Sequence, residues 1–225
     1  MSASGGRLPW LTIAICAAGM AVAAWLFWLL GPSAVMLVRG DRIGRAFYVP
    51  SESMLPTLQL NDRVAPLQIG AAGPQRGDVI VFRAPTSVRV ARVAAIGGDT
   101  IQMRGGVVVL NGVAVPQTGI GAGPALDGMP TRLLAERFPG DARTHRILDL
   151  GASPQDDTAP LRVAPGKLFV LGDNRDRAAD SRIPLAEEGV GQVDRSAVIG
   201  LVDAVYWAKD RARIGRPIDT IGNVR

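Results

Sequence analysis

The chain has 225 residues, enough for one sizeable domain, and its 27 glycines and 16 prolines beside only 5% aromatics suggest many turns rather than a long-helix protein. Its net charge of +5 is carried almost wholly by arginine, because Lys167 and Lys209 are the only lysines, and it favours anionic partners such as an anionic lipid bilayer. No basic run is interleaved with aromatics, which argues against nucleic acid, and Cys16 is the sole cysteine, which excludes an intrachain disulfide.

After a short segment at residues 1–7, residues 8–30 carry no charge and are rich in Ala, Leu, Ile and Trp. Their 23 residues exceed the roughly 20 needed to cross a bilayer as a helix. Trp10 near one end and Trp25 and Trp28 near the other suit interfacial anchoring. The run predicts a transmembrane helix and is too long for the core of a cleavable signal peptide, about 7–15 residues. Gly31-Pro32 ends it, and 31–46 reads as a membrane-proximal linker. Arg7 lies before the helix and Arg39, Arg42 and Arg45 after it, so a positive-inside count puts the C-terminal part in the cytoplasm.

Residues 47–60 read FYVPSESMLPTLQL. Two hydroxyls at i and i+2 on an extended segment point to the same side, and Pro50 and Pro56 bracket a stiff bend. One hydroxyl can attack a carbonyl while the other hydrogen-bonds the developing oxyanion. A Ser/Pro turn opening a β domain is the plainer reading of the same residues.

From residue 62 the signals are strand-like. Strands are expected at 78–82, 87–96, 144–150, 167–171 and 198–207. Residues 107–110 and 113–115 flank Asn111-Gly112 and predict a hairpin with a type I′ turn. Residues 119–127 read as a Gly/Ala/Pro loop, 133–138 as a short helix, 177–185 as loop, and 208–225 as a loose basic tail. Many short strands with turn signals imply a mainly antiparallel β domain at 47–207 behind one membrane anchor.

Four stretches in fixed order resemble the type I signal peptidase family: PSESMLPTL at 50–58, RGDVIVF at 76–82, RVAAIGGD at 92–99 and GDNRDRAADSR at 172–182. The resemblance implies a coiled-barrel β-sheet fold with a smaller inserted β part around 103–165. It implies residence in the inner membrane, with the β domain on the extracytoplasmic side, against the charge count. It implies removal of signal peptides from exported preproteins by a serine nucleophile and a lysine general base. Ser53 falls on the nucleophile position and Ser51 where some members place an oxyanion-hole hydroxyl. Asp173, Asp180 and Arg182 fall on supporting positions, and Met54 and Val90 help form small substrate pockets.

The chain departs from the pattern at the base. Counting back from Asp99, Arg92 takes the family's arginine and Ala91 its lysine, while Ala178 stands where a serine often orients that lysine. No lysine precedes Lys167, so a gap does not restore the match. Among other candidates, Arg89 shares a strand face with Ala91 but stays protonated, Lys167 reads as a rim residue, His145 as a surface histidine, and Lys209 lies in the tail. Losing a base costs about 10⁴ to 10⁶ in rate. Weak signal-peptide cleavage and non-catalytic signal-peptide binding therefore both stand as expectations. No metal cluster or phosphate loop is visible in the sequence, so no cofactor is expected.

Overall fold

The computed structural model describes residues 45–221 together with positions 13, 15, 16, 18–22 and 25. The chain divides into two compact units, Met1–Asp41 and Arg42–Arg225. In the first, the described positions are helical, and among them no helix is long and apolar enough to cross a membrane. The remainder of the expected span at 8–30 and nearly all of the expected linker at 31–46 lie outside the described residues.

The second unit is mainly antiparallel sheet. Its strands are β1 (Phe47–Tyr48), β2 (Arg63–Val64), β3 (Val79–Arg83), β4 (Val88–Ile96), β5 (Thr100–Arg104), β6 (Val107–Leu110), β7 (Val113–Ala114) and β8 (Gln117–Ala122). They continue as β9 (Arg132–Glu136), β10 (Arg143–Asp149), β11 (Leu161–Arg162), β12 (Lys167–Leu171), β13 (Val193–Asp194), β14 (Val198–Val202), β15 (Val205–Trp207) and β16 (Thr220–Ile221). They form sheets of order β13-β12-β4-β3-β14, β1-β2-β15, β11-β5-β6-β7 and β16-β10-β9-β8.

The long strand β4 explains its own sequence. Its first half alternates valine with Arg89 because it is only partly covered, whereas Ala91 to Ala95 are buried on both faces and so run mostly apolar, with Arg92 the exception. Ala91 and Val93 pack with Ile80, Phe82, Leu168 and Val170, while Ala94 and Ala95 join a second core with Ile101, Met103, Phe138 and Phe169. A third core holds Val49, Met54, Leu58, Val79 and Val81 beneath the SESM turn. Each fully buried side chain of this size contributes roughly 1.5–3 kcal/mol. The opposite ends of β4 have different neighbours. It pairs β3 along Val88 to Arg92 but β12 only from Arg92 onward, so Val88 to Ala91 leave one backbone edge open.

Several expectations change. Of the expected helix at 133–138, residues 133–136 lie in strand β9, although Leu, Ala and Glu are helix formers, because β8 and β10 pair it on both sides and satisfy its backbone. The first four residues of the glycine-rich stretch at 119–127 belong to strand β8, with a register shift at Gly119/Gly121 that the φ of 138° at Gly121 accommodates, and 123–127 lie outside it as the loop expectation had it. The closing strand at 198–207 breaks at Asp203 and Ala204 into β14 and β15. The tail is not loose: Arg211–Arg213 make a 3-10 turn, Ile218 donates to the Asp203 carbonyl, and β16 pairs β10. The hairpin at Asn111-Gly112 does form, with φ of 52° and 83° as a type I′ turn requires.

Candidate active site

Ser51 and Ser53 sit on a run of turns rather than on an extended segment: Leu55 N–H donates to the Glu52 carbonyl and Leu58 N–H to that of Met54. Pro50 and Pro56 cannot continue a ladder, which is why the chain coils here instead of pairing. The two hydroxyls still meet, Oγ to Oγ, at 3.1 Å. They open into a cleft of about 410 Å³ whose walls include Val81, Phe82, Val90, Ala91, Ala178 and Val190. Met54 lies below this surface, 0% exposed in the core, and does not line the cleft.

The 172–176 stretch (GDNRD) fixes the Ser53 turn from behind, each residue holding a different neighbour. Gly172 N–H donates to Asp180, and Asn174 N–H donates to the Ser53 carbonyl at 3.0 Å while its side-chain amide donates to the Glu52 carbonyl. Asp173 accepts a bidentate pair from Arg92 at 2.7 and 2.8 Å and a bond from Thr57. Arg175 pairs with Glu136, and Asp176 accepts from Leu150 N–H. Gly172 has to be glycine: a Cβ there would lie 2.2 Å from that of Ala178 and 2.6 Å from the Ser53 carbonyl oxygen.

Arg92 is the centre of this scaffold, 1% exposed, and besides Asp173 it donates to both carboxylate oxygens of Asp219 and to the Gly77 carbonyl. Burial alone would push the Asp173 carboxyl up, but the Arg92 guanidinium outweighs it and holds that carboxyl below its usual range. Asp219, from the segment expected to be a tail, closes the cluster. No sequence signal pointed to it, because its partner lies 127 positions away. Asp180 and Arg182 pair at 2.9 Å, with the Arg182 side chain wholly buried and also donating to the Arg175 carbonyl.

Position 91, where the family resemblance expects a lysine, is apolar. Ala91 and Ala178 are 6% and 8% exposed, and among the described residues the ionisable ones lining the cleft are Tyr48, Arg89, Arg177 and Asp180. Arg89 reaches across the cleft to the carbonyls of Ala179 and Glu188, and Arg177 pairs with Asp127 and Glu52. Asp180 is already held by Arg182 and Gly172. Lys167 pairs with Asp194 at 2.7 Å at the far end of β12 from Gly172, and neither it nor Lys209 lines the cleft.

His145 is not a surface residue, as its sequence context suggested. Alternation along β10 turns it inward, where it is 2% exposed, stacks on Phe138 at 5.3 Å and meets Glu136, its register partner on β9, at 3.0 Å. It does not line the Ser53 cleft. Burial would raise the Glu136 carboxyl, but Arg175 and His145 together hold it far below the usual range.

The family model described as signal peptidase, peptidase S26, matches residues 10–207. The signal peptidase I of Leptolyngbya laminosa is 29% identical over 198 residues, covering 81% of this chain and 80% of its own. That of Rickettsia typhi (strain ATCC VR-144 / Wilmington) is 32% identical over 183 residues, covering 67% and 69%. The crystal structure of a signal peptidase I from Enterococcus faecalis V583 aligns with 60% of this chain and 98% of its own at 25% identity, with a TM-score of 0.34.

Proposed function

The chain belongs to the signal peptidase, peptidase S26 family of serine-type hydrolases, and from that premise we propose that it binds the signal-peptide region of exported preproteins at the Ser53 cleft and cleaves there slowly. Family membership supports signal-peptide removal as the reaction. In this reading Ser53 Oγ attacks the scissile carbonyl carbon and gives its proton to water. The Ser51 hydroxyl and the Ser53 N–H hold the oxyanion, the C–N bond breaks as the leaving amine takes a proton from water, and a further water hydrolyses the acyl-enzyme. The open edge of β4 at Val88 to Ala91 supports an extended segment adding as a further strand, and Val90 helps form the small side-chain pockets. The chain acts from the membrane, anchored by residues 8–30, with the β domain outside the cytoplasm where signal peptides are cleaved.

One observation carries the reading: two serine hydroxyls 3.1 Å apart open onto a cleft next to alanine at the lysine position. In this reading Ser53 is the nucleophile and it lacks a lysine base. The same observation favours a second reading, a signal-peptide binder without turnover, because among the described residues neither lysine nor histidine lines the cleft. Processing of a model preprotein by the full chain in detergent, beside Ser53→Ala, separates the two. Slow cleavage abolished by Ser53→Ala supports the first. Preprotein binding with no cleavage supports the second, and absence of both overturns each.

A further inference from the structure

Away from the Ser53 cleft, the returning C-terminal segment encloses a second cavity of about 200 Å³ against β10. It exists because the segment after β15 is pinned at several points: Gly215 N–H donates to the Val205 carbonyl, Ala204 bridges Pro217, and Asp219 is buried on Arg92. Arg146 from β10 and Arg213 and Arg216 from the returning segment line it, with Thr144, His145 and Asp219. Arg213 is committed to Asp62 at 2.8 Å. Arg146 and Arg216 are exposed, and neither side chain makes an ion pair or hydrogen bond among the described residues. The acidic residue in the lining, Asp219, is partly offset by two bonds from Arg92, which it shares with Asp173, and it faces three arginines. The lining is therefore net positive, and two of its guanidiniums have no partner among the described residues.

We propose that this cavity is a binding site for a phosphate-bearing anion, a phosphomonoester headgroup or free inorganic phosphate. Planar guanidiniums match phosphate oxygens bidentately, and two unpaired ones lining a shared pocket avoid the cost of breaking existing ion pairs. The volume accommodates a phosphoryl group with a small substituent. Binding here does not depend on any cleavage at Ser53.

The test titrates inorganic phosphate into the full chain in a zwitterionic detergent, against chloride at matched ionic strength, by calorimetry and thermal unfolding. Phosphate at tenfold excess over its Kd should raise Tm by about 3–6 °C. The Arg146→Gln, Arg216→Gln pair should weaken binding about 10- to 100-fold while leaving Tm without phosphate unchanged, and Arg216→Gln alone should fall between. Nanodiscs distinguish the sources. If phosphatidate-containing discs abolish the response to added phosphate, the ligand is the headgroup. If the response persists as in phosphatidylcholine discs, it is the free anion. Equal effects of phosphate and chloride, or equal phosphate affinity in the double variant, would overturn the proposal.

Discussion

Restoring a base at position 91 tests the active-site reading most directly. Ala91 is 6% exposed, and an amine on its strand face would enter a cleft walled by Val81, Phe82, Val90 and Val190. Arg89 and Arg177 line the same cleft, and both disfavour a third cation there. Asp180 offsets little, since Arg182 already neutralises it. For the amine to work near pH 7.5 its pKa has to fall about three units from roughly 10.4, a differential of about 4 kcal/mol. The sign follows: with the folded pKa lowered, the unfolded chain binds more protons between about pH 7.5 and 10.4. Stability of the variant should therefore rise across that window, and about 4 kcal/mol should be missing below it. Ala91→Lys with Ala178→Ser, the latter to give the amine a hydroxyl partner, should raise preprotein cleavage about 10⁴- to 10⁶-fold. Initial rates by gel or fluorogenic peptide from pH 6 to 10, with urea unfolding at the same pH values, measure both. A parent chain already as fast as the variant would refute the base assignment, and so would variant cleavage that survives Ser53→Ala.

Gly172→Ala should cost about 1–3 kcal/mol and lower preprotein affinity, because its Cβ meets both Ala178 and the Ser53 carbonyl; adding Ala178→Gly should recover only part, and full recovery would show that the Ser53 contact is unimportant. Asp219→Ala should cost about 3 kcal/mol in urea unfolding, since Arg92 keeps Asp173 but loses two charged hydrogen bonds; a loss below about 0.5 kcal/mol would refute a structural role for the C-terminal segment. Glu136 and Asp173 have lowered folded pKa values, so the stability they contribute is present above the usual carboxylate range and lost as pH falls through it and below. Urea midpoints from pH 7 to 3 should fall accordingly, and Glu136→Gln should flatten that fall.

What the sequence disclosed and what it hid divide along locality. Asn111-Gly112 sets its turn through two residues, so the hairpin was legible. The SESM stretch announced the paired hydroxyls even though it coils rather than extends. Counting back from a glycine turn singled out Ala91, which lines the same cleft as Ser53. By contrast, β9 carries helix formers and is a strand only because two neighbours claim its backbone, and β8 hides in glycines. His145 gave no sign of burial, since its reason is Glu136 on the adjacent strand. Asp219 reads as part of a basic tail until Arg92 supplies the cation that draws it inward.

The open edge of β4 has a consequence beyond substrate. Unpaired strand backbone accepts any extended chain, including the same edge of a second copy or a misfolded neighbour. Arg89 stands in that gap, its guanidinium tied across to the carbonyls of Ala179 and Glu188. A charged side chain strapped over an unfilled ladder position works as a turnstile: a partner has to displace the strap to zip on. Loss of that arginine would leave the monomer folded and its edge adhesive, so its first symptom would be self-association that rises with concentration rather than a lower unfolding midpoint.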